Sequence, residues 1–181
     1  TALTLATTTA VQKHRTVLID LGSRKGVMSK TVGPGHKCIS NYIIGQSDIN
    51  EIIVHNVDDI EGLDMIPVGA IPPNPSEMLY SSQFEQLISQ LKTKYDYIII
   101  DCPPIDIVAD AQIIGRLTDM TVFVVRAGMF DKADLHQIQE LYDTNRYRNI
   151  ALILNGVDIK NSYYSNRYYG YGNKYADYIK E

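Results

Sequence analysis

The 181 residues, 45% of them hydrophobic, are enough to enclose a real core and fit most simply one domain. A formal net charge of −4 argues against nonspecific nucleic-acid binding, and no run of eighteen apolar residues marks a membrane span. Two cysteines, Cys38 and Cys102, stand far apart with no CxxC spacing, which argues against a disulfide framework or a zinc site and fits a reducing compartment.

The chain opens with TALTLATTTAVQ, whose Ala, Leu and Gln favour a helix entered partway along its length. Residues 16–21, TVLIDL, read as a buried strand that delivers Asp20 to its end, followed by a polar loop of Gly22, Ser23, Arg24, Lys25 and Gly26. Gly33, Pro34 and Gly35 break the chain again. Residues 39–44 read as a short helix stopped at Gly45, and Ser47 or Asp48 can cap another through Ile53. Residues 63–68 form a third strand with Pro67 placed at its end, where a missing N–H does least harm. Asn74 with Glu77 makes a capping box and Pro75 suits the first helical position, so a helix is expected to start there. Phe84, Leu87, Ile88 and Leu91 recur at helical spacing, a stripe that belongs to the core rather than to a ligand pocket.

The clearest stretch is YDYIIIDCPPIDIVAD. Residues 97–100 are aromatic and β-branched and too few for a helix, so they read as a strand covered on both faces. Asp101 follows at its C-terminal end, and Pro103 with Pro104 forces the chain out of the sheet at the edge where open α/β sheets bind ligands. The bland reading is an Asp capping a strand-to-loop turn; the DCPP continuation and a second strand ending in Asp20 weigh against it. Residues 110–117 read as a short helix and 120–125 as another buried strand, ending at Arg126. Asp131 can cap a helix carrying Leu135, Ile138 and Leu141, and residues 149–157 supply the last strand. Strand and helix alternate throughout, which is the pattern of an α/β fold with a mostly parallel sheet flanked by helices on both faces. His14, His36, His55 and His136 have no ligand spacing and read as surface residues.

Thirteen tyrosines stand against three Phe and no Trp, and the excess collects at the end. Residues 163–178 read YYSNRYYGYGNKYADY, with Tyr163, Tyr164, Tyr168, Tyr169, Tyr171, Tyr175 and Tyr178 set among Gly, Asn, Ser, Arg and Lys. No aliphatic core residue supports this stretch, so residues 1–160 are expected to form the domain and 161–181 a flexible tail. Interleaved aromatic and basic residues can stack on bases or sugars. The alternative is a cluster of phosphate acceptors, each gaining about −1.5 to −2 charges on modification.

At this point the chain resembles the bacterial tyrosine kinases that accompany capsular and exopolysaccharide chain-length regulators, relatives of the MinD/ParA-type P-loop ATPases. The resemblance rests on LATTTAVQKHRTVLIDLGSRKG, ISNYIIGQ, LDMIPVGAIPPNPSEML, YDYIIIDCPP, DMTVFVVRAGMFDKADL, LILNGVD and the tyrosine cluster. It implies an ATP-dependent autokinase with a P-loop NTPase-like fold. Asp101 takes the Walker B position, and Asp20 and Arg24 match the Walker A′ pattern; the two acids would orient Mg²⁺, and Asp20 could help activate the incoming tyrosine hydroxyl. Asn155 and Arg126 fall where relatives meet the nucleotide, although either also reads as a strand-end residue. The seven tail tyrosines become phosphoacceptors. The implied partners are neighbouring copies in a ring and a transmembrane chain-length regulator, fused or separate, at the inner face of the bacterial plasma membrane, with no nucleic acid.

Two departures stand out. Gly22 occupies the place of the second Walker A′ acid, and no GKS/T-type loop occurs anywhere in the chain. The mid-helix opening leads us to expect that such a loop precedes Thr1 in the whole protein; without it the chain should be an impaired kinase. A MinD/ParA-like ATPase switch and a catalytically silent interaction module are the competing classes. PPNPSEML and the tyrosine tail weigh against the first, while Gly22 and the missing loop would suit the second.

Overall fold

The computed structural model describes residues 1–21, 35–69, 78–102, 115–131, 133, 135–144, 147 and 149–157. The backbone divides into two compact units, one ending at Leu117 and the next beginning at Thr118. In the first, α1 (Ala2–Val11) leads to β1 (Thr16–Asp20), then α2 (Ile39–Ile43), α3 (Ile49–Ile52), β2 (Leu63–Pro67), α4 (Ser82–Lys94) and β3 (Tyr97–Asp101). The strands lie in the order β2-β1-β3 and every pairing is parallel. Thr16 sits opposite both Leu63 and Tyr97, and Asp20 opposite both Pro67 and Asp101.

The sequence explains why β1 lies in the middle. TVLID has no exposed position, so it needs a neighbour on each edge and a helix on each face. Successive side chains alternate between faces. Val17, Ile19 and Ile66 pack with the α4 stripe of Phe84, Leu87, Ile88 and Leu91, whereas Leu18, Leu63 and Met65 pack with Ala6 and Ala10 of α1. The two alanines let α1 lie close to the sheet, and the hydroxyl of Thr16 joins that of Thr9 at 3.0 Å.

The α4 stripe is buried as expected, on a helix whose N-cap is Ser81, accepting from the Phe84 amide at 3.2 Å; Met78 and Leu79 just before it are also helical. The capping box proposed for Asn74, Pro75 and Glu77 lies outside the described residues. Asp48 does cap α3, its amide donating to Glu51 Oε2 at 2.8 Å. Gly45, with φ +73°, ends the turn after α2 in a conformation that costs glycine nothing.

Polar clasps tie the strands together at their amino ends. Arg15 meets Asp96 through its backbone amide at 2.9 Å and its guanidinium at 3.0 Å, while the Asp96 and Tyr97 amides return to the Arg15 carbonyl. That exchange fixes the offset between β1 and β3. Asp64, buried within β2, accepts from Tyr95 Oη at 2.6 Å and the Asn56 amide at 3.1 Å, and bonds His55 Nδ1 at 2.9 Å. Burial, then the bond to Asp64, drives the Tyr95 phenol well above its usual range. All four histidines are exposed at the surface.

The second unit contains β4 (Thr121–Arg126), α5 (Leu135–Asp143) and β5 (Ile150–Asn155), the strands parallel from Thr121↔Ile150 to Arg126↔Asn155. Ile138, Leu141 and Tyr147 are buried, and Tyr147 meets Phe123 edge to face at 5.7 Å. Asp131 accepts from the Ala133 amide ahead of α5. Here the expected burial is only partly found: Leu135, Val124 and Leu154 are 43%, 49% and 61% exposed. With one strand neighbour each among the described residues, β4 and β5 show partial cover, and β4 alternates between half-buried and exposed. No described helix is long and apolar enough to cross a membrane.

Candidate active site

The pairing of β1 with β3 carries Asp20 and Asp101 to the same edge in the same register. Partners on adjacent strands lie about 4.8 Å apart and share a face. Leu18 and Ile99, two residues before the acids, both belong to the α1 side of the sheet. The two carboxylates therefore project toward the face where α1 packs, at the C-terminal edge of the strands. Because α1 runs back from that edge into β1, its first turn begins there, near Asp101. A helix start beside a strand-end acid pair presents backbone N–H groups and positive dipole to an anion.

Asp20 is 4% exposed and Asp101 half-buried. Burial, then the nearby charge of Asp20, raises the Asp101 carboxyl above its ordinary value. Next to it, burial followed by the charge of Asp101 pushes the Cys102 thiol up to about 12, which favours its protonated form. Two like charges held together in this way are relieved by a cation. Among the described residues no cluster of three or more His, Cys, Asp or Glu could hold a metal. A two-carboxylate set nevertheless fits Mg²⁺, which keeps most of its waters and takes one or two protein carboxylates beside substrate phosphates.

Packing beneath the edge is tight. The Leu21 amide donates to the Asp101 carbonyl at 2.8 Å, extending the pairing one residue past the acids. Beyond β2, Gly69 has φ +78°, and a Cβ there would run into the Cys38 sulfur, which bonds Asn41 Oδ1 at 2.8 Å. Both cysteines are free thiols. Arg126 and Asn155 are also register partners, at the C-terminal ends of β4 and β5. The Ala127 amide donates to the Asn155 carbonyl, and Gly156, at φ +69°, lies beside the Arg126 side chain. Gly22, Arg24 and the seven tail tyrosines lie outside the described residues. Sequence reasoning passed over one buried acid, Asp64; its isolation inside the apolar run LDMIP was the available signal.

A parallel sheet with paired acids at its C-terminal edge and a helix beginning beside them defines a P-loop NTPase-like α/β protein. A family model described as an AAA domain matches residues 1–152. MinD of Aquifex aeolicus, at 21% identity, shares the fold with a TM-score of 0.65 over 92% of this chain and 66% of its own. Similarity at the sequence level narrows the class. The tyrosine-protein kinase CpsD of Streptococcus agalactiae is 34% identical over 160 residues, 87% of this chain and 69% of that protein. The kinase domain of the Escherichia coli tyrosine kinase ETK superposes with a TM-score of 0.74 at 33% identity, covering 86% of this chain and 61% of that one. The chain belongs to the bacterial tyrosine-kinase family.

Proposed function

We propose that the protein is an ATP-dependent tyrosine autokinase that phosphorylates its C-terminal cluster between subunits and thereby regulates capsular or exopolysaccharide synthesis. The observation that supports it most is the Asp20–Asp101 pair set in register beside the start of α1, in a chain that also carries seven tyrosines between residues 163 and 178. In this reading the buried Asp20 accepts the phenolic proton as the tyrosine oxygen bonds to the γ-phosphorus and the bond to the ADP oxygen breaks. Asp101 orients the nucleotide end of the site. Mg²⁺ held by both acids would neutralise phosphate charge. By resemblance to the family, Arg24 is taken as a cation of the site and Arg126 and Asn155 as nucleotide contacts. A glycine-rich loop joined to Thr1 would present its amides at the same edge.

Residues 1–160 act as the catalytic domain and 161–181 as the acceptor tail. Neighbouring copies form a ring beneath a transmembrane chain-length regulator at the inner face of the membrane, and each added phosphate repels the neighbour's acidic site and loosens the ring. Gly22, in the place of a second acid, favours one further reading, a silent module that docks to the regulator without transferring phosphate. Mass spectrometry of the protein expressed from its whole gene, after incubation with Mg·ATP alone and with the regulator, separates the two. Phosphate on tail tyrosines that disappears in Asp101→Asn supports the kinase. Unmodified tails in both samples would refute it.

A further inference from the structure

The face of the first unit covered by α4 carries a second polar feature, on the side of the sheet away from the acid pair. The turn between α2 and α3 stands off the start of α4 and leaves a cleft of about 400 Å³. Tyr42, Gln46, Asp48, Glu51, Gln83 and Gln86 supply its chemistry. We propose that this cleft binds a neutral saccharide of one or two rings, an activity that goes beyond the kinase reading and does not rest on it.

The donor set selects the ligand. No Lys, Arg or His lines the cleft while two carboxylates do, so a phosphate or carboxylate ligand would enter against like charge with no cation to hold it. An apolar ligand would strip water from three carboxamides without replacing their hydrogen bonds. Each carboxamide offers both donors and an acceptor, and each carboxylate offers acceptors only. Adjacent hydroxyls, which donate and accept at once, match that mixture. The volume lies at the small end of the range for ligand pockets, suited to one or two sugar rings.

The aromatic wall is held in place. Tyr42 packs against the core beneath α4, and its hydroxyl accepts from Gln90 Nε2 at 3.3 Å, which fixes the ring as a platform for the C–H face of a sugar. Glu51 is oriented by the Asp48 amide, and Ser47 by the Gln46 carbonyl at 2.8 Å. Above Gly45 the space is open: a Cβ built there meets nothing within 4 Å. Gln83 and Gln86 both sit in the exposed first turns of α4, one turn apart on one side of the cleft, facing the loop residues on the other.

The test is a side-chain amide NMR titration of the whole chain with glucose, galactose and lactose, with glucuronate and spermidine as charged controls. Saturable shifts of the Gln46, Gln83 and Gln86 amides are expected, with dissociation constants on the order of 1–10 mM for so small and open a site. Raising the salt concentration should leave those shifts in place, because no ion pair forms. The double variant Gln83→Ala/Gln86→Ala should weaken binding about tenfold with the thermal midpoint unchanged, since both side chains are exposed. Tyr42→Phe, which keeps the ring and loses only its hydroxyl, should retain most of the affinity. Absence of shifts with all three sugars overturns the proposal. So do shifts from spermidine that salt abolishes, which would mark an anionic cleft for cations, and sugar shifts that survive in the double variant.

Discussion

Replacing Asp101 by Asn should stabilise the fold at neutral pH while removing phosphate transfer. The native carboxyl titrates above its ordinary 3.8 because it is half-buried and faces Asp20 across one strand spacing. The native state therefore binds more protons than the unfolded chain in the window above 3.8, and stability falls as pH rises through that window. The penalty grows as the pH rises from 3.8 toward neutrality. Two unit charges about 5 Å apart at an effective dielectric near 20 repel by about 3 kcal/mol. Asp101 is half open to solvent and salt screens the pair, so about 1 kcal/mol is the reasonable remainder. Asn keeps the shape and cannot ionise. In urea unfolding at pH 7 the variant should gain about 1 kcal/mol, roughly 2–4 °C in thermal midpoint, and the gain should vanish near pH 3, where the native acid is neutral too. A variant that is less stable than the parent at pH 7 would refute this, because it would mean that the charged carboxylate is held by favourable bonds.

Other consequences follow from the packing and the polar clasps. Phe84→Ala removes a fully buried ring shared by α4 and the sheet and should cost about 3–5 kcal/mol in urea unfolding. Tyr95→Phe deletes one donor to the buried Asp64 and should cost about 1–2 kcal/mol. The parent should also lose stability above pH 10.0, where the unfolded phenol ionises and the native one stays protonated, and Tyr95→Phe should lose that part of the alkaline sensitivity. The chain from Thr1 to Glu181, lacking any GKS/T-type loop, should bind Mg·ATP weakly; micromolar binding by calorimetry would contradict the role given to that loop.

Much of the first unit was legible because its strands are short apolar runs with a single polar punctuation at the end. TVLID announces a buried strand that stops at an acid, and the helix after it carries a stripe that only a sheet face can cover; YIIID stops at its acid as expected, but at the edge of the described sheet it is only half-covered, with Tyr97 exposed. From those the parallel sheet follows, and with it the meeting of Asp20 and Asp101. Ser81, the cap observed for α4, was not singled out because Asn74 with Glu77 gave the more conspicuous capping signal upstream. The strands of the second unit read as buried from composition alone, yet cover comes from neighbours that composition does not specify. Asp64 escaped notice because its partners, His55 and Tyr95, lie 9 and 31 residues away, and only the fold brings them together.

Transfer between subunits is tested most directly by mixing two forms of the protein expressed from its whole gene. One keeps the acid pair but has its seven tail tyrosines changed to Phe; the other keeps the tail but carries Asp101→Asn. Neither should acquire phosphate alone. Incubated together with Mg·ATP, the second should be phosphorylated between residues 163 and 178, because an intact site on one copy reaches the tail of another. A mixture that stays unmodified while the unaltered protein labels its own tail would contradict transfer between subunits, and an unaltered protein that never labels would contradict the kinase itself.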